Sequence, residues 1–403
     1  MRTSTISLLL SVTLLITASA APASRALYLA PRGDGQAGTG TITDPFDAST
    51  PAKLWQAWLK TAFRSDGLTN HTIVFLPGTY ACTNDLRLPW DAREVIISGY
   101  GARLVEVDTA LEGQRHMLTT SWEGNDAVSF EGFSLDCGSA VKYGASAKVC
   151  GVWSRGKGNS VRNVTVKNLA SCNRGGDSLE AFGINLVSDG GIVSGCQVSG
   201  IAGELPFATG ICLNGSDSVA SGNVVDLGDT SATNQTVTFG YSLYGNRLLL
   251  SGNVARNVDA GISMDGSGDG GESTWSDNVV TGNILGGNEM CVRIDNNTQG
   301  YRNWLWTGNN FHANGGRWLL LSTQNPKWAA TKIAGNRFTG NAFSGTVQAD
   351  NLLLSNWGED PHTFNANSFS VPPKIQPLSN EKDLYGQGNT VQGRPANREF
   401  RGE

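Results

Sequence analysis

The chain has 403 residues, with 51 glycines, 11 tryptophans, only 16% charged residues and a formal net charge of −5. This composition is poor in the residues that build helical bundles. No run of Lys and Arg exceeds two residues, which excludes a basic nucleic-acid surface. Abundant glycine and asparagine supply tight turns with positive φ and point to many short strands.

The chain opens with the layout of a secretory signal peptide over residues 1–20. Arg2 starts it, Ile6 to Ile16 form an apolar core, and Ala18-Ser-Ala20 offers a cleavage site. The expected location is therefore secreted, extracellular or periplasmic. No other stretch has the roughly 20 apolar residues that span a bilayer, so no membrane partner is expected. Residues 21–70 form an N-terminal segment with one helix. Thr50 suits its N-cap and Pro51 its first turn. Leu54, Trp58, Leu59 and Ala62 then share an apolar face. This helix is expected to cap the N-terminal end of a repeat region.

Residues 71–371 repeat. One kind of segment ends in Gly-Asn or a close variant, as in Val219-Ala-Ser-Gly-Asn and Leu249-Leu-Ser-Gly-Asn. Its asparagines are Asn223, Asn253, Asn278, Asn309 and Asn336, spaced by 30, 25, 31 and 27, with weaker copies at Asn367 and Asn389. The other kind starts with Gly: Gly151-Val-Trp-Ser-Arg, Gly183-Ile-Asn-Leu-Val, Gly210-Ile-Cys-Leu-Asn, Gly240-Tyr-Ser-Leu-Tyr and Gly261-Ile-Ser-Met-Asp, followed by Cys291-Val-Arg-Ile-Asp. Both kinds alternate with period two, as one-sided strands do. Two strand types per 25 to 31 residues describe a coil whose like strands stack about 4.8 Å apart. The steps are shorter than the roughly 40–45 residues of a β-propeller blade. The expected fold is all-β, a single-stranded right-handed parallel β-helix with an N-terminal capping helix. Residues 372–403 are expected to cap or trail from the far end.

Seven cysteines are present. No CxxC pair suggests zinc. Cys137 and Cys150 bracket a Gly/Ala/Ser loop and are a candidate disulfide; the alternative is buried thiols in the coil interior.

Gly33-Asp-Gly-Gln-Ala-Gly-Thr-Gly-Thr-Ile-Thr-Asp-Pro-Phe precedes the helix, and Ile73-Val-Phe-Leu-Pro-Gly-Thr-Tyr comes after it. Ser134-Leu-Asp-Cys and Lys148-Val-Cys-Gly lie further on. Together they resemble the pectate-lyase-like superfamily of secreted right-handed β-helices. That resemblance implies the fold and a carbohydrate partner, while lyases, hydrolases, epimerases and non-catalytic adhesins all share the fold. The polygalacturonase motifs Asn-Thr-Asp, Asp-Asp and Gly-His-Gly are absent, and Arg293-Ile294-Asp295 only partly echoes Arg-Ile-Lys. Asp360-Pro361-His362 is similar to an epimerase motif but sits late in the chain.

Aligning the Gly-start strands sends the first and third residues after the glycine inward, Ile184 and Leu186 or Ile262 and Met264 for example. The opposite face then reads in columns. One is Trp153, Asn185, Cys212, Ser242, Ser263, Arg293; the next is Arg155, Val187, Asn214, Tyr244, Asp265, Asp295. Simple alternation adds Asp259 and Glu289 to the same face. Asp265 and Asp295 are the expected reacting pair, as in a glycosidase that needs carboxylates about 5–5.5 Å apart or wider. Arg293 and Tyr244 are the expected cation and base of a lyase. Asp259 and Glu289 are the expected ligands of Ca²⁺. Trp153, Arg155, Glu180, Asn185 and Asn214 are expected to bind substrate. Arg174, Asp177, Lys142 and Tyr143 are further groove candidates. His116 and His312 read as isolated structural histidines. Trp122, Trp304, Trp306, Trp318 and Trp328 are divided between sugar platforms and core fillers. The expected activity is elimination on an acidic polysaccharide, with hydrolysis or non-catalytic glycan binding as alternatives.

Overall fold

Each coil consists of three short apolar strands separated by glycine or asparagine corners. The computed structural model describes residues 25–108, 111, 113–138, 146–173, 180–202, 207–228, 237–264, 274–295, 300–322, 333–349, 351–354, 362–377 and 384–395. In one coil the strands are Val219–Ser221, Val224–Asp226 and Val237–Tyr244. Each pairs in parallel with its counterpart one coil on: Val219 opposite Leu249, Val224 opposite Val254, Phe239 opposite Ala260. The first strands build a 14-stranded sheet. The second and third stacks join into one 24-stranded sheet, because Ser146–Arg155 runs antiparallel to Thr165–Asn173 at its start. We call these stacks the second and third sheets. A small three-stranded sheet, Thr274–Ser276, Gly300–Arg302 and Ile333–Ala334, flanks later coils.

The inward residues meet in one continuous apolar core, and the predicted inward pairs, from Ile184 and Leu186 to Val292 and Ile294, are all buried in it. Trp304, Trp306, Phe338 and Phe364 stack face to face inside it, at 5.6, 5.6 and 4.6 Å. Trp318 is also buried. Trp328 lies outside the described residues.

The glycine at the start of each third-sheet strand has a steric cause. A β-carbon at Gly183 would sit 2.5 Å from the Val198 side chain, and one at Gly210 2.4 Å from Val225. Both valines belong to the facing second sheet. The glycine and the residue after it both turn inward, so the strand alternation breaks at this point. Gly210→Ala is expected to cost about 1–3 kcal/mol by overpacking. Thermal denaturation reads this as a lowered midpoint; an unchanged midpoint would contradict the packing argument.

The corner after the first sheet carries an asparagine ladder. Asn223 Nδ2 donates to Asn253 Oδ1 at 2.9 Å, and the chain continues through Asn283, Asn309, Asn341 and Asn367 to Asn389 at 2.9–3.2 Å. This corrects the series of equivalent asparagines read from the spacing. Asn278 and Asn336 belong to the corner before the first sheet, where they accept from Leu248 N and Trp304 N. The rungs after the first-sheet strands of those coils are Asn283 and Asn341, each following a glycine with φ of +63° or +64°.

Helix Pro51–Ala62 forms as expected, with Thr50 Oγ1 accepting from Lys53 N. Its buried face is Leu54, Ala57, Trp58, Thr61 and Ala62; Leu59 points outward instead. Trp58 Nε1 donates to Arg87 O at 2.9 Å, which pins the helix to the first coils. Coiling also exceeds its expected bounds. Arg25–Ala30 already pairs with His71–Phe75, and Ile375–Pro377 and Leu384–Gln387 still pair with preceding coils. The signal segment lies outside the described residues. No described helix is long and apolar enough to cross a membrane.

No disulfide forms among the described residues. Cys137 and Cys150 are both buried thiols, as are Cys82, Cys196, Cys212 and Cys291. The Cys137–Cys150 bridge is therefore corrected to the alternative of small apolar side chains. Burial pushes these thiols up, Cys196 to about 11, so they are protonated and inert.

Candidate functional site

The outer face of the third sheet carries the predicted column in register. Trp153 lies opposite Asn185, then Cys212, Ser242, Ser263 and Arg293 succeed it one coil at a time. Thr119 and Arg87 precede Trp153, and Leu320 comes after Arg293. In the next column Arg155 lies opposite Val187, and Asn214 opposite Tyr244. Asp265 lies outside the described residues. Asp295 ends strand Met290–Asp295 opposite Ser322, and its side chain lies outside the described residues, as do Arg174, Asp177, Lys142 and Tyr143.

Several expected contributors are placed differently. Asp259 does not join the outer face, because the break in alternation at Gly261 shifts the phase. Its carboxylate accepts from Thr238 N and Oγ1 at 2.7 and 3.0 Å. Glu289 is exposed in a turn, where its carbonyl accepts from Arg317 N. Among the described residues no group of three or more His, Cys, Asp or Glu side chains is placed to hold a metal ion. Tyr244 packs edge-on against Trp275 at 5.2 Å, and burial pushes its phenol well above the usual range. It holds its proton at neutral pH and fits hydrogen-bond donation rather than a base. His362, of the epimerase-like motif, is a buried partner of Asn336 N in the first sheet. Beyond Asn185 a second buried apolar cluster of Phe239, Ala260, Met290 and Leu320 accompanies the polar column on the outer face. Arg293 lies on that half.

The first coils carry the densest chemistry. Arg115 Nη2 donates to Asp108 at 3.0 Å, with Glu106 at 3.6 Å and Asp85 at 3.8 Å from its other nitrogens. Arg87 pairs with Asp85 at 2.8 Å. Burial pushes the Asp85 and Glu106 carboxyls above their usual range. A cleft of about 450 Å³ opens over this cluster, lined by Trp55, Asp85, Arg87, Gln114 and Arg115 among others. An aromatic run borders it. Ring centres of Trp122 and His116 are 5.8 Å apart, His116 and Trp153 4.8 Å, and Trp153 and Phe182 6.4 Å. The Arg87 guanidinium lies 4.6 Å over the Trp122 ring, and Arg155 Nη1 donates to Trp122 O at 2.9 Å. Trp122 is 52% exposed. Glu180, half-buried, accepts from the Thr209 hydroxyl. Burial, then the nearby Lys148 and Arg87 charges, lower His116 to about 3, so its ring is neutral.

The structure thus unites Trp153, Glu180 and Asn185 with groups that sequence reasoning did not assemble: Asp85, Arg87, Glu106, Asp108, Gln114, Arg115, His116 and Lys148. The signal was hidden because Met117 stands where later coils have glycine. His116 lies opposite Cys150 and Leu118 opposite Val152, which places Met117 in the glycine column.

No protein-family model matches the chain, and no curated protein does. Solved structures do. The A-module of the Azotobacter vinelandii mannuronan C-5 epimerase AlgE6 matches with a TM-score of 0.57 at 14% identity, covering 85% of this chain and 94% of that one. The chain is a right-handed parallel β-helix. The AlgE4 A-module from the same organism matches this β-helix with a TM-score of 0.56 at 15% identity, over 91% of this chain and 96% of that one. The tailspike protein of E. coli bacteriophage HK620, solved with a pentasaccharide, gives 0.63 at 15% identity. That match covers 85% of the β-helix and 62% of the tailspike chain. At these identities the likeness concerns the fold.

Proposed function

We propose that the protein is a secreted β-helix that binds an acidic polysaccharide across the outer face of the third sheet and cleaves it by β-elimination. The observation that carries this reading is Trp122, a half-exposed indole with Arg87 over its ring and Arg155 on its carbonyl. A sugar packs its C–H face on an indole, and its carboxylate pairs with a guanidinium. The names of the neighbours, one with a pentasaccharide and two with mannuronan, support a glycan as the ligand class. Elimination requires the uronate carboxylate to be neutralised, so that the adjacent proton can be removed and the glycosidic oxygen expelled. Arg293 is the proposed cation that neutralises the carboxylate, and Asp265 and Asp295 are the proposed groups that take the proton and return one to the expelled oxygen.

Acidic and neutral polysaccharides test this directly, with ultraviolet absorbance of unsaturated uronate and reducing ends followed together. The expected result is absorbance on an acidic polymer only. Reducing ends without absorbance would replace elimination by hydrolysis through the Asp pair. Trp122→Ala is expected to weaken polymer binding about tenfold or more, ~1.4 kcal/mol. Unchanged affinity in affinity electrophoresis would remove the platform from the site.

A further inference from the structure

We propose that Lys148, His116 and Trp153 form a recessed subsite that receives the carboxylate of one uronate residue. This deepens the acidic-polysaccharide reading and rests on it. Lys148 lies on strand Ser146–Arg155 and is only 6% exposed. A lysine this buried ordinarily has an anionic partner. None of the ion pairs among the described residues includes it. Its ammonium instead lies 5.3 Å from the centre of the Phe182 ring.

Two further donors flank it. Gln114 lies opposite Lys148, and His116 opposite Cys150, on the adjacent strand. As oriented, the Gln114 amide nitrogen donates to His116 Nε2, which leaves the imidazole proton on Nδ1. His116 is 1% exposed, and its Nδ1 has no hydrogen-bond partner. The buried Trp153 Nε1, on the ring 4.8 Å away, has none either. A buried donor without an acceptor is costly, so two beside an ammonium with no ion-pair partner describe a place built for an anion. The neutral state of His116 lets it donate from Nδ1 without adding charge.

The shape of the donor set favours a carboxylate. Its two oxygens offer about four lone-pair sites, enough for an ammonium and two N–H groups at once. A lone hydroxyl offers one oxygen and no charge. Asn185, next to Trp153 in register and itself buried, presents an unpartnered Oδ1. It is the acceptor for a hydroxyl of the same sugar. Trp122, 5.8 Å from the His116 ring, stands at the edge of the subsite as the platform for the sugar face.

The test uses the full chain with mannuronan and polygalacturonate, each native and with its carboxyls reduced to alcohols. The wild type is expected to bind at least one native polymer about tenfold or more tighter than its reduced form. Lys148→Met is expected to lower native-polymer affinity about tenfold or more and so erase that preference. Trp153→Phe keeps the ring, loses only the N–H, and is expected to lower native-polymer affinity several-fold. Thermal midpoints check that each variant is folded; if Lys148→Met is not, Trp153→Phe carries the same comparison. A folded variant that retains the full preference for native polymer would overturn the subsite and leave the wider function standing. A wild type that binds neither native polymer would overturn the acidic-polysaccharide reading and the subsite together.

Discussion

Replacing Asn283 with leucine is expected to destabilise the β-helix by about 2–5 kcal/mol, although the side chain touches no solvent and no candidate site residue. Asn283 Oδ1 accepts from Asn253 N at 2.8 Å and from Asn253 Nδ2 at 3.0 Å. Its own Nδ2 donates to Leu250 O and Asn309 Oδ1, both at 2.9 Å. Leucine fills a similar volume but leaves the buried Asn253 N without its acceptor, while Asn253 Nδ2 keeps Ala220 O and Ser251 O. Such an orphan costs about 1–3 kcal/mol, and the lost bonds add to that. The exposed Arg256–Asp226 pair is the natural comparison. Asp226→Ala is expected to cost no more than about 1 kcal/mol. Urea denaturation of the two variants measures the difference. Equal losses would mean that the ladder is a by-product of coiling and not a support for it.

The second large effect is expected at Arg115. Arg115→Met leaves Asp85, Glu106 and Asp108 without their shared cation, and breaking a buried ion cluster by removing one partner typically costs about 3–5 kcal/mol. The loss depends on pH. Burial raises the folded-state pKa of Asp85 and Glu106, so the folded protein holds these protons more tightly than the unfolded chain. Stability from these two groups is therefore greatest below their unfolded values, about 4, and is lost as pH rises through the folded ones. Without Arg115 the folded values rise further. The variant should be weakest at neutral pH and recover part of its stability on acidification. Thermal midpoints across that range decide it. A deficit that stays constant with pH would place the role of Arg115 in packing rather than charge.

These two sites also show where the sequence was readable. The coil, the parallel stacking and the outer column from Trp153 to Arg293 can be derived from apolar residues one and three places after a fixed glycine. That anchor exists because a second-sheet side chain crowds each glycine. The same crowding turns two successive residues inward and shifts the phase upstream, so Asp259 and Glu289 were placed on the wrong surface by simple alternation. Two corners both use asparagine, and spacing alone does not separate Asn278 from Asn283. The first coils were opaque for the opposite reason. Met117 replaces the glycine, the strand has no anchor, and His116 reads as solitary when it sits among Arg87, Gln114, Lys148 and Trp153. Cys137 and Cys150 illustrate that a short loop between cysteines does not imply a bond when both side chains serve as interior filling.

The ladder has one more property, which is direction. From Asn223 to Asn367 each side-chain amide donates an N–H to the asparagine of the later coil, and from Asn253 to Asn389 each accepts from the earlier one. The dipoles of the six donating amides therefore point the same way along the axis, buried beside an apolar core where fields are weakly screened. Hydrogen bonds in such a row polarise one another, so an amide in the middle is worth more than one at either end. The interior of this β-helix is in that sense electrically polarised, with a distinct head and tail.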